Sequence, residues 1–312
     1  MNIHKIIYFL AIVGSLIGQD QEQTVGLFLN TAAAAPGYTL FAPMSYNVTY
    51  LIDNNGELVQ SWFSDYRPGL SAYLLDNGDL LRTRRLQGQF FQTGGRGGGV
   101  EIIDWDGNLV WEFNYFSDQY WQHHDIESLP NGNVLLIAWE FKADMVAIAN
   151  GRNPNFLGGN LQPSGFWPDH IIEVDPESNS IVWGWHVWDH LIQDYDSSKA
   201  NYGVVSDHPE LVNINYPDYP NNTENDWLHI NAIDYNAELD QIILSVHHFG
   251  EIWIIDHSTT TAEAASHTGG NSGKGGDLLY RWGNPQAYMG VCLLYTSPRP
   301  RDATLSRMPS SA

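Results

Sequence analysis

The stretch VEIIDWDGNLVWEF, residues 100–113, decides the fold. An apolar run ends in Asp104, the Asp106-Gly107 pair offers a tight turn, and a second apolar run returns through Trp111 and Phe113. Asp-Gly accepts the positive φ that a short reversal demands. β-Branched and aromatic residues with a two-residue period suit the strands on either side, so the stretch reads as a β-hairpin. The same grammar recurs at 49–62 (TYLIDNNGELVQSW), at 170–185 (HIIEVDPESNSIVWGW) and at 252–265 (IWIIDHSTTTAEAA), the last with its return strand delayed to 277–285 (DLLYRWGNP). Asp53, Asp175 and Asp256 take the place of Asp104.

A second hairpin type alternates with the first: SAYLLDNGDLLRTR (71–84), DIESLPNGNVLLIAWE (125–140) and HINAIDYNAELDQIILSVHH (229–248). Two hairpins make four strands per unit. The units recur at about fifty residues where no insertion intervenes, the spacing of propeller blades. No segment sustains a helical period over three turns, and a β-sandwich would not require this strict alternation. The expected fold is therefore all-β, a β-propeller with about four blades legible between residues 31 and 288. Two insertions, 141–169 and 186–226, interrupt the rhythm; their aromatics favour ordered lids over disorder.

The two ends read differently from the repeats. Residues 1–18 have a lone Lys5, an apolar core and small residues before a polar stretch, the pattern of a secretory signal peptide. Residues 290–312 carry three arginines, one acid and Cys292, the only cysteine; they read as translated adapter sequence rather than native chain, so the natural protein is expected to be longer. The formal charge of −22, with fourteen Lys plus Arg, argues against nucleic acid or an anionic membrane as partner. Twelve histidines are the donors in supply.

His123 and His124 open one second-type hairpin and His229 opens the next, with His247 and His248 expected at the end of its return strand. Equivalent positions of successive inner strands face one funnel in a propeller. Alternation along a strand puts His229 and Asn231 on one face and sends His247 and His248 to opposite faces. Four readings fit this cluster: satisfied rim residues, a metal site completed by Asp125 or Glu127, an anion-binding acid–base cluster, or a ligand-binding propeller without chemistry.

Several segments in this order, APGYTLFAP (35–43 region), YLIDNNGELVQSW, HHDIESLPNGN, WLHINAID and the run from IWIIDHSTTTAEAASHTGG to RWGNPQAY, resemble the bacterial arylsulfotransferases that work without a nucleotide donor. The resemblance spans about residues 31–288. It implies a six-bladed propeller, periplasmic or secreted, with the active site in the central channel and no diffusible nucleotide donor, whose partners are an aryl sulfate donor and a phenolic acceptor; no cofactor and no metal are expected. It implies ping-pong transfer of the sulfuryl group through a sulfohistidine. Carried over, His124 resembles a site histidine that contacts the sulfate, His229 resembles a second one placed to protonate the leaving phenolate or deprotonate the acceptor, and Asn231 resembles a donor to a sulfate oxygen. His247, a further catalytic candidate, stands where the family has an arginine, and His123 and His248 beside these residues are further substrate-binding candidates. The family's nucleophilic histidine lies in a later blade, beyond RWGNPQ, and no residue of this chain matches it. A non-catalytic binding propeller and a metal-dependent hydrolase propeller are the alternatives.

Overall fold

The computed structural model describes residues 26–157, 161, 163–217 and 225–290; the expected signal peptide and the tail from residue 291, with Cys292, lie outside them. The hairpins form where the repeat places them. A three-stranded sheet comprises β1 (Tyr38–Phe41), β2 (Val48–Asp53) and β3 (Leu58–Phe63). A four-stranded antiparallel sheet follows, with β4 (Pro68–Leu74), β5 (Leu80–Arg85), β6 (Gly98–Ile103) and β7 (Leu109–Asn114) in chain order. The next has β8 (Tyr120–Ser128), β9 (Val134–Glu140), β10 (Asp169–Asp175) and β11 (Ser180–His186). A short parallel pair, β12 (Leu191–Ile192) with β13 (Val212–Asn213), belongs to the second insertion. The last sheet is β14 (Ile230–Asn236), β15 (Gln241–Val246), β16 (Glu251–Asp256) and β17 (Tyr280–Trp282). Each four-stranded sheet is one second-type hairpin followed by one first-type hairpin, the repeat read from the sequence.

The repeat aspartates act within their own turns. Asp53 Oδ1 accepts the backbone N–H groups of Asn55 and Glu57 at 2.8 Å, and Asp104 Oδ1 that of Asn108 at 2.7 Å. Asp175 and Asp256 accept from Glu177 and Ser258 in the same way, each at 2.9 Å. The side chain thus supplies the acceptor that the reversing backbone lacks.

The sheets stack face to face as blades. Leu81, Val100 and Trp111 of one sheet share a core with Ile126, Val134, Leu136 and Val174 of the next. Leu135, Ile137 and Ile171 point the other way, to Leu244, Trp253 and Ile255 of the last sheet. A strand buried on both faces has no polar side to show, which is why 134–139 is an unbroken apolar run, VLLIAW. The innermost strands meet one another: β8 lies between β4 and β14.

The first insertion contains a helix, α1 (Asp144–Ala149), and the described parts of both insertions pack inward. Phe166 and Trp227 have ring centroids 4.9 Å apart, and Trp167 N–H donates to the Asn225 carbonyl. Among the described residues no helix is long and apolar enough to cross a membrane.

Candidate functional site

The inner strands are irregular at one common end. On β8, Gln122 pairs with Ala138 and Ile126 with Leu136, so His123, His124 and Asp125 stand against Ile137 alone. On β4 the same three-against-one bulge sets Gly69, Leu70 and Ser71 against Thr83. On β14 Ile230 pairs with Val246 and Ala232 with Ser245, which leaves Asn231 as the extra residue. Bulges re-aim side chains, and here they turn three inner strands toward one place.

His124 and His229 carry the cost of this geometry. Their φ values are +48° and +53°, the left-handed region that β-carbon-bearing residues rarely occupy. Their ring centroids lie 4.5 Å apart. The His124 backbone N–H donates to Gly95 O at 2.7 Å, and a Cβ on Gly95 would overlap the His124 imidazole. Glycine at 95, itself at φ +84°, is what lets the ring sit there. His124 and Asn231 line a recess of about 290 Å³ with Asp125, Ser71 and Tyr73. Tyr73 O–H donates to Asp125 Oδ1 at 2.6 Å.

Two buried carboxyls stand behind the histidines, and sequence reading gave neither a role. Asp226 Oδ2 accepts from His229 Nδ1 at 2.6 Å, and its Oδ1 from the indole N–H of Trp139 at 2.8 Å. Burial opposes its charge, but the His229 hydrogen bond and the surrounding imidazoles outweigh burial and hold Asp226 below the ordinary carboxylate range. Accordingly His229 carries a proton on Nδ1, donated to Asp226. Asp226 lies three residues before His229, a spacing visible in the sequence. Asp169 fell at the end of the first insertion, 141–169, where nothing in the sequence marked it.

Asp169 begins a second chain of contacts. Its Oδ1 lies 2.7 Å from His123 Nε2, and His123 Nδ1 lies 2.9 Å from His124 Nδ1. Burial and the Asp226 charge push the Asp169 carboxyl well above its usual range, while Oδ2 accepts from the backbone N–H of Ile230 at 3.2 Å. A proton held on Oδ1 would be donated to His123 Nε2; His123 Nδ1–H would then donate to His124 Nδ1, which leaves the His124 proton on Nε2. Burial pulls His123 down to about 3, and burial with the His123 and His229 imidazoles pulls His124 to about 3. Both rings are neutral in the resting site.

Three expectations are modified. His123 is wholly buried, stacked on Trp139 with centroids 3.9 Å apart, and lies behind His124 rather than on the channel surface. β15 ends at Val246, so His247 and His248 occupy the turn toward β16 rather than alternating faces of a strand. The turn brings both rings to His229, at 5.3 and 5.0 Å, and His248 Nδ1–H donates to the Asp226 carbonyl at 3.0 Å. Asn231 lies at a bulge, so simple alternation does not relate it to His229.

A protein-family model described as arylsulfotransferase (ASST) matches residues 27–263. No curated protein matches the chain. Among solved structures, it is similar to a protein of unknown function from Bacteroides caccae (12% identity, TM-score 0.41, 80% of this chain and 59% of that one). It is also similar to Kuenenia stuttgartiensis hydrazine synthase (12% identity, TM-score 0.43, 79% and 59%) and to a Dos1 propeller (10% identity, TM-score 0.35, 70% and 42%).

Proposed function

Since the chain belongs to the arylsulfotransferase family, we propose that it takes part in moving a sulfuryl group from a phenolic sulfate ester to an acceptor phenol by a ping-pong route through a sulfohistidine. The observation that carries this reading is the His124–His229 pair: two left-handed histidines, one on β8 and one immediately before β14, with ring centroids 4.5 Å apart, beside the Asn231 recess. Strain of this kind persists where surrounding structure enforces it, and it clusters at functional sites.

The two rings suit different tasks. In the first half-reaction a histidine nitrogen attacks sulfur, the S–O bond to the aryl group breaks, and the departing phenolate needs a proton. His124 Nε2–H can give it, while His123 refills Nδ1 of His124 and Asp169 refills Nε2 of His123, so that one proton leaves Asp169 and one arrives on the phenol. In the second half-reaction an acceptor phenol oxygen attacks sulfur and the S–N bond breaks. His229 Nε2 can take the phenolic proton, with Asp226 stabilising the imidazolium. Asn231 is suited to donate to a sulfate oxygen. His247 replaces the family's arginine with a ring that is a cation only when protonated.

The reading leaves the nucleophile to the family's later-blade histidine, which no residue of this chain matches, and assigns the protein to the periplasm or beyond. The test is transfer from 4-nitrophenyl sulfate to phenol without added nucleotide, using protein from the complete gene. Parallel double-reciprocal plots and a covalently sulfurylated histidine are expected. Turnover that requires a divalent metal would favour a hydrolase, and tight phenol binding without turnover a binding propeller; either result would overturn the proposal.

A further inference from the structure

The outer side of the β8–β11 blade holds a second cluster that sulfuryl transfer does not use. Glu140 ends β9, His170 is the second residue of β10 and His186 ends β11, so adjacent strands bring them together at one rim. One ligand atom from each lies within 4.8 Å of the other two. Asp169 and His170 are consecutive on β10 and alternate faces, which separates this cluster from the channel histidines.

Two of its atoms are orphans. Glu140 Oε1 and His170 Nδ1 are buried with no hydrogen-bond partner among the described residues, and His170 is 1% exposed. Buried polar atoms in folded proteins are nearly always satisfied, and a bound metal ion is one partner that satisfies such atoms. The His170 and His186 rings are parallel, with centroids 4.7 Å apart. Tyr115 O lies 3.0 Å from His170 Nε2. With Nδ1 as ligand, Nε2 bears the proton and donates to that hydroxyl, the outer-shell contact that usually fixes a ligating imidazole.

We propose that Glu140, His170 and His186 form a binding site for a late first-row divalent cation such as Zn²⁺, two imidazoles and one carboxylate leaving a fourth position open to water. The donor set is the nitrogen and oxygen mixture that zinc accepts at about 2.0–2.2 Å. One group competes. Lys142 Nζ lies 3.0 Å from Glu140 Oε2, and the ion must displace it; the Trp188 ring, 5.1 Å away, gives the ammonium an alternative seat. By contrast His190, His267 and Asp277 also cluster, but both His190 nitrogens already have partners, Asp277 and the Ala264 carbonyl.

The test is calorimetric titration of untagged, chelator-stripped full-length protein with ZnCl₂. One site per chain is expected, weakened at least tenfold in both His186→Ala and Glu140→Gln, tightened in Lys142→Met and unchanged in His267→Ala. Circular dichroism establishes that each variant is folded, and Lys142→Met reads the site without removing a ligand. No binding by the parent protein, equal affinity in His186→Ala and Glu140→Gln, or loss of the site on His247→Ala instead would overturn the proposal.

Discussion

At the scale of single residues, the candidate site is a set of histidines whose protonation is fixed by what lies behind them. His123 and His124 remain neutral in the fold to about pH 3, whereas in the unfolded chain they protonate below about 6.5. Their folded pKa values are depressed, so the unfolded state binds more protons as pH falls and stability is lost between about 6.5 and 3. The expected loss is on the order of a few kcal/mol, mostly from wholly buried His123, since solvent reduces the share of half-buried His124. Denaturant midpoints measured from pH 7 to 4 should fall more gently in His123→Gln; identical slopes would refute this. Asp226→Asn is expected to keep the Trp139 bond but present an N–H to His229 Nδ1, forcing the other tautomer and removing the Nε2 base. Transfer should drop by about 10²-fold or more with little change in melting temperature. An unchanged rate would rule out His229 as the base. Gly95→Ala has a different origin: a methyl displaces the His124 ring, and a misplacement of this size costs up to about 10²-fold in rate.

At the scale of elements, turn chemistry sets the hairpins. Gly107 has φ +89° with nothing within 4 Å of where a Cβ would stand. Gly107→Ala therefore strains the backbone without crowding it, and a loss of about 1 kcal/mol in chemical denaturation is expected. No loss would mean that the turn can adopt another type. These hairpins were legible because two-residue periodicity, Asn-Gly and Asp-Gly turns and the capping aspartates are local properties. The bulges were not. Nothing within 122–126 says that three residues will face one, because the extra residues are tolerated only where Gly95 and the Asp169 carboxyl accommodate them from other hairpins. The turn placement of His247 and His248 was missed because the apolar alternation of 241–246 reads smoothly into them.

At the scale of the whole molecule, the charge of −22 opposes an anionic substrate at long range. A sulfate ester should be captured faster as salt rises toward 0.15 M, where charges more than about 8 Å away are screened. kcat/KM for 4-nitrophenyl sulfate is expected to increase over that range, then fall as short-range contacts with the imidazoles weaken. A monotonic decrease from low salt would show that local donors dominate the field.

The sequence by itself determined the all-β class, the pairing of hairpins into four-stranded blades and the histidines worth attention, because each rests on local hairpin periodicity and on its recurrence along the chain. Only the tertiary structure decided how those histidines work. Asp169, His123 and His124 form one line, Asp226 joins Trp139 to His229, and Glu140, His170 and His186 share a rim. The joined groups come from different strands and hairpins, and the stacking of apolar blade faces, together with strained bulges at the inner ends, brings them within bonding distance.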